Sequence, residues 1–195
     1  MWGCCVVDEE KDPPAHGPRS VPSLGATRHR PLSRRGHIEA TRAELPIIAM
    51  EQEIMSVIDE HDVVLLCGAT GCGKTTQVPQ FLLEAGYGCR QFPERGGMIA
   101  VTQPRRVAAV STARRVAEEV GDSSNKTGLV GYQVRYDREV GSEAAVKFMT
   151  DGILMRELQE DFLLTKCVPC VNIVNGKHVR RVLDSVSRVC FDFWF

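Results

Sequence analysis

No apolar run in this chain approaches the ~20 residues that a membrane-spanning helix requires. The opening Met-Trp-Gly-Cys-Cys-Val-Val is too short for the core of a secretion signal and leads into acidic residues instead of a cleavage site. Trp2 excludes a myristoylation start. These absences leave a cytosolic or nuclear protein as the expectation. Charge of one sign is lacking too: 24 basic against 25 acidic residues give a net charge of -1, so any basic function has to be local. The eight cysteines follow no framework spacing, and Cys67 and Cys72 flank or sit inside the loop described below. That pattern fits free thiols in a reducing compartment. Cys167-Val-Pro-Cys170 has no second pair and no histidine at zinc-finger spacing, so a zinc or redox site is not expected there.

With 195 residues the chain suits one domain of ordinary size. Residues 1–43 are rich in Pro, Gly, Arg and Ser and show no sustained apolar period, so they read as a disordered basic, Pro-rich leader. Its Arg28-His-Arg-Pro-Leu-Ser-Arg34-Arg35 reads either as a solvated basic tail or as a nuclear-import or RNA-contact patch. From Leu45 the pattern changes. Ile47, Met50, Ile54, Val57 and Ile58 predict an amphipathic helix ending near His61. Val63–Cys67 has the continuous apolar character of a parallel strand buried on both faces. Gly68–Thr75 is then a loop, and Thr76–Glu84 a helix closed by Gly86.

Met98–Thr102 predicts a second buried strand. Pro104 opens a helix to about Val120, with Val107, Val110, Ala113, Val116 and Val120 on its inner face. Strands near Val130–Tyr136 and Val146–Met149 and a helix over Asp151–Glu160 follow. Alternation of this kind predicts an α/β domain with a parallel sheet. After Cys167 the character shifts: four of the twelve aromatics fall in Phe191-Asp-Phe-Trp-Phe195, and Val179–Val189 have only a weak helical period, so 168–195 read as a divergent tail.

Gly68-Ala-Thr-Gly-Cys-Gly73-Lys74-Thr75 fits GxxxxGK[ST]. Gly68, Gly71 and Gly73, with the intervening Thr70, let backbone N–H groups wrap phosphates. The Lys74 ammonium reaches β and γ oxygens, the Thr75 hydroxyl ligates magnesium, and Thr76 continues into the helix whose positive end faces the anion. A preceding buried strand and a following helix are the context in which this pattern means nucleoside triphosphate binding. A Gly-rich turn that binds nothing is the bland alternative.

Three further stretches narrow the class: Lys74-Thr-Thr-Gln77-Val-Pro-Gln80-Phe, Thr102-Gln-Pro-Arg105-Arg106-Val-Ala, and Phe148-Met-Thr150-Asp151-Gly152-Ile-Leu-Met-Arg156-Glu157. In this order they resemble motifs I, Ia and Ib of the DEAH-box RNA helicases over about residues 45–166. Leu45-Pro-Ile, Glu51-Gln-Glu-Ile-Met, Phe81-Leu-Leu-Glu-Ala-Gly and Asp161-Phe-Leu-Leu look most like the subgroup acting in small-subunit ribosome assembly. The resemblance implies a RecA-like P-loop domain over 44–167, ATP or another NTP with magnesium as cofactor, RNA and pre-ribosomal proteins as partners, and a nuclear, nucleolar location. It also implies that Arg105, Arg106 and Thr150 contact RNA phosphate or ribose, and that Arg115 stacks on the base. Two adjacent arginines suit phosphate recognition, and a guanidinium stacks on any base, so nucleotide preference should be weak. The bland readings are a solvated charge pair for Arg105 and Arg106, and a surface helix residue for Arg115.

The family's Asp-Glu-Ala-His follows the motif Ib helix, where its Asp holds the magnesium-bound water network and its Glu polarises the attacking water. Here the region reads Val171-Asn-Ile-Val-Asn175-Gly176-Lys177-His178, an apolar strand without either carboxylate. Val171–Val174 can fill the strand's place, with Asn172 then in its interior. Asp59-Glu60-His61 precedes the phosphate loop and reads as the polar end of a helix. The family's second RecA-like domain and its arginine fingers have no counterpart, and phosphoryl transfer depends on such parts. The expectation is an N-terminal helicase fragment that hydrolyses ATP poorly. The alternatives are a short non-catalytic nucleotide- and RNA-binding product and, from another class, a P-loop small-molecule kinase.

Overall fold

The computed structural model describes residues 3–5, 30, 32–61, 64–89, 95, 97–122, 128–160 and 170–172. The described elements are β1 (Gly3–Cys5), α1 (Gly36–Ala43), a 3-10 turn (Pro46–Met50), α2 (Glu51–Glu60), β2 (Leu65–Cys67), α3 (Lys74–Glu84), β3 (Ile99–Gln103), α4 (Arg106–Glu119), β4 (Val130–Val134), β5 (Asp137–Glu139), β6 (Val146–Thr150), α5 (Asp151–Glu160) and β7 (Cys170–Asn172). No described helix is long and apolar enough to cross a membrane. The sheet has the order β5-β4-β6-β3-β7. Its pairs β4–β6, β6–β3 and β3–β7 are parallel, and only the β4–β5 hairpin is antiparallel. This is the α/β class that the alternation of elements predicts.

Both faces of the central strands are covered, which explains their continuous apolar runs. Ile99, Val101, Val146 and Phe148 join Phe81, Leu82 and Leu83 of α3 and Ala109, Ala113 and Val116 of α4 in the main core. Ala100 and Met149 point the other way, to Ile153 of α5. On that second face Lys147 donates to both carboxylate oxygens of Glu157, at 2.7 and 2.9 Å, tying α5 to β6.

Four sequence expectations need correction. Part of the stretch read as a disordered leader forms β1 and α1. Ile38 and Arg42 of α1 are buried, and Arg34 is drawn into an ion pair, so a count that treats every arginine as solvated misjudges this segment. The basic patch 28–35 is accordingly not uniformly solvated, and residues 6–29 lie outside the described residues. The single helix read over 47–58 is a 3-10 turn followed by α2, because Pro46 starts a separate short helix. Val107 is 78% exposed and Ala109 fills the inner face instead; Val107 sits in the first turn of α4, past the end of β3. Finally, β2 pairs antiparallel with β1, Gly3 opposite Cys67, instead of joining the parallel sheet. The apolar opening residues supply a partner edge that the sequence reading had discounted. Beside β3 stands β7, with Val101 opposite Val171 and Thr102 opposite Asn172. The tail beyond it, 173–195, is outside the described residues, as is most of Cys167–Cys170.

Candidate nucleotide and RNA site

β2 ends at Cys67, and the chain turns through Gly68–Gly73 into α3. Gly71 and Gly73 have φ of 86° and 98°, in the left-handed region open chiefly to glycine. A Cβ on Gly73 would also come within 3.1 Å of Ile47 and 3.2 Å of Leu45, so the 3-10 turn fixes the loop from behind. Gly73 is the N-cap of α3; the first amides of a helix lack an acceptor four residues back, and of these Thr76 N turns to Gly73 O at 3.2 Å. Lys74 is buried, and its ammonium donates to the carbonyl oxygens of Gly68 at 2.6 Å and Ala69 at 2.9 Å, with Cys72 Sγ at 3.3 Å. Thr75 is half-buried, Thr70 is exposed, and the Thr76 hydroxyl donates to the Gly73 carbonyl at 3.2 Å. Turned amides, a helix N-terminus and an ammonium curled over the loop's own carbonyls fit a polyphosphate group. Among the described residues no cluster of His, Cys, Asp or Glu could hold a metal by itself.

α3 is closed by a Schellman cap. Gly86 N donates to Leu83 O at 3.1 Å and Tyr87 N to Leu82 O at 3.0 Å, with Gly86 at φ 88°. The inner face of this helix carries polar residues that the sequence reading quoted in a motif without giving them a role. Gln77 accepts from Arg42 Nε at 2.8 Å and donates to Glu119 at 2.9 Å. Gln80 accepts from Arg34 at 2.9 Å and donates to Glu119 at 2.6 Å. Arg34 and Arg42 both pair with Glu84. On the other side of Glu119, Arg115 Nε donates to it at 2.7 Å, one helical turn apart.

Burial alone would raise the Glu119 carboxyl, but the hydrogen bonds from Arg115, Gln80 and Gln77 and the Arg115 charge outweigh it and hold the group below its ordinary value. The same hydrogen bond and charge raise Arg115. The Arg115 side chain stays more than half exposed.

The remaining site residues gather at the carboxyl ends of β3 and β6. Gln103 stands opposite Thr150. Two residues on, Arg105 is the N-cap of α4 and Arg106 its first residue, both exposed. A shallow depression of about 600 Å³ along α4 is lined by Arg106, Val110, Arg114 and Arg115, among others. The Gln103 side chain is buried, and its Nε2 has no partner among the described residues. Sequence reasoning passed over this amide beside Thr150. Asp59 and Glu60 end α2, ahead of β2 and not at its carboxyl end, and Asp59 accepts from Tyr87 and Arg95. Cys67, Cys72 and Cys89 are free thiols.

No family model matches the chain. It is 54% identical over 158 residues to ATP-dependent RNA helicase DEAH13 of Arabidopsis thaliana, a match covering 81% of this chain and 12% of the relative. It is 54% identical over 151 residues to Probable ATP-dependent RNA helicase DHR1 of Saccharomyces cerevisiae, covering 77% of this chain and 12% of that protein. With Probable ATP-dependent RNA helicase DHX37 of Homo sapiens the identity is 46% over 156 residues, 80% of this chain and 13% of the relative. The chain therefore spans about an eighth of the length of these relatives.

Proposed function

Because the chain belongs to the DEAH-box family of ATP-dependent RNA helicases, we propose that it forms the nucleotide-gripping half of such an enzyme's first RecA-like domain. The observation that carries this reading is the loop Gly68–Thr75, with Lys74 curled over it and two left-handed glycines turning its amides outward. ATP or another NTP would sit with its phosphates on Gly68, Gly71, Gly73, Lys74 and Thr75. Magnesium would be held by the Thr75 hydroxyl together with the phosphates, where it would neutralise charge on the β and γ oxygens. Arg115 would lie against the base, which any purine can satisfy, so ATP and GTP should bind with little preference.

Arg105, Arg106 and Thr150 would contact RNA backbone, since they share the carboxyl edge of neighbouring parallel strands. Such contacts carry no sequence information. The subgroup resemblance supports work on a pre-ribosomal RNA with pre-ribosomal proteins in the nucleolus. A non-catalytic role of this stretch is favoured by one specific feature. β7 ends at Asn172, and residues 171–178 contain no carboxylate to orient water.

The test is titration of soluble, folded chain with magnesium and ATP. Binding should be lost in Lys74→Ala, and equal affinity in the two proteins would remove the phosphate-loop assignment. RNA affinity should fall with salt, and neutralising Arg105 and Arg106 should flatten that dependence by ~1 or less per lost contact.

A further inference from the structure

Arg115 does not reach solvent as an independent side chain. Its Nε is fixed at 2.7 Å by Glu119, and the other oxygen of Glu119 is fixed by Gln77 at 2.9 Å and Gln80 at 2.6 Å, both from the helix that begins at the phosphate loop. Gln77 also donates to the Thr76 hydroxyl at 3.1 Å. The orientation of both amides is determined: each lies between an arginine, which only donates, and a carboxylate, which only accepts. Reversing either would set donor against donor. Glu119 is buried, whereas its partner is more than half exposed. An exposed i,i+4 pair is ordinarily loose; this one has a rigid anchor at one end.

We infer that Glu119 is the positioning residue of the base platform: it sets the Arg115 guanidinium against the nucleotide base and ties that platform, through Gln77 and Gln80, to the phosphate-loop helix. The inference rests on the proposed nucleotide site and deepens it. Holding the guanidinium before the ligand arrives lowers the ordering cost of stacking, and so strengthens binding of a base-bearing ligand. A ligand made only of phosphates gains nothing from it. Glu119 itself touches neither base nor phosphate in this scheme. Its effect should appear wholly through Arg115.

The experiment compares affinity for magnesium-ATP with affinity for magnesium-tripolyphosphate, which lacks base and sugar. With the stack on the base lost, Arg115→Ala should cost about tenfold in ATP affinity, or ~1.4 kcal/mol, and leave tripolyphosphate unchanged. Glu119→Gln should do the same. The double variant should be no worse than Arg115→Ala alone. Should Glu119→Gln fail to fold, Glu119→Asp serves, because it keeps the charge between the two glutamines but is one methylene too short to reach Arg115 as well.

Equal loss for both ligands would make Glu119 merely structural and overturn the inference, as would an ATP affinity unchanged in the Glu119 variant. A wild-type chain that binds both ligands equally would remove Arg115 from the base, and the inference with it. Binding of neither ligand would sink the nucleotide site itself, a different failure from the other three.

Discussion

At the scale of single residues, the firmest interactions are ones that composition hides. Arg42 is buried, pairs with Glu84 at 3.0 Å and with Gln77, and lies over the Phe81 ring at 5.6 Å. Removing one member of a buried pair costs ~3–5 kcal/mol when it strands the other charge; Glu84 keeps Arg34 as a second partner, so the cost here should be nearer the ~1–3 kcal/mol of lost buried hydrogen bonds. Arg42→Ala should therefore lower unfolding stability by about that much, measured by urea denaturation; a loss below ~1 kcal/mol would mean that water screens the pair. Glu119 supplies a pH signature. Its folded-state value lies below the ordinary 4.5, so on acidification the unfolded chain takes up the proton first. Its stabilising contribution is complete above 4.5 and is lost as pH falls through the folded value. The stability difference between wild type and Glu119→Gln should be flat from neutral pH down to the ordinary glutamate range and shrink below it. Lys74 and Thr75 were read from the sequence because the types in a phosphate loop are dictated by chemistry at fixed spacing, whereas the role given to Arg115 came from the family resemblance alone. Glu119, Arg34 and Arg42 were not legible there, since a buried charge is recognisable only through a partner some 40 or 50 positions away in the chain.

At the scale of elements, helix ends decide how the site is framed. α4 closes like α3, with Gly121 N on Glu118 O at 3.2 Å and Asp122 N on Ala117 O at 2.9 Å. Gly121 has φ 76°, and a Cβ there would meet the Ser33 carbonyl oxygen at 2.1 Å. Gly121→Ala combines a left-handed backbone with a backbone clash, so it should destabilise by more than ~1 kcal/mol. Thermal unfolding checks this, and an unchanged midpoint would show that Ser33 moves away freely. Periodicity placed α3, α4, α5 and the strands β3, β4 and β6 within a few residues. It misjudged Val107, because a period says which residues share a face and not where the neighbouring sheet ends.

For the molecule as a whole, the parallel order was legible from alternating apolar runs and amphipathic helices, whereas the pairing of β2 with β1 was not. Edge pairing depends on which short apolar segments meet in space, and the periodicity of each one is silent on that. The consequence is chemical. The strand beside β3 is β7, which carries Asn172 opposite Thr102 and is followed by no carboxylate before His178. On the proposed reading the chain would grip a nucleotide with no carboxylate in residues 171–178 to direct water at it. The decisive measurement is steady-state phosphate release from ATP, with and without RNA, by wild type and Lys74→Ala. The expected result is a wild-type chain that binds nucleotide yet releases phosphate no faster than Lys74→Ala, whether or not RNA is present. RNA-stimulated release that disappears in Lys74→Ala would contradict the account and place a working catalytic group after β7.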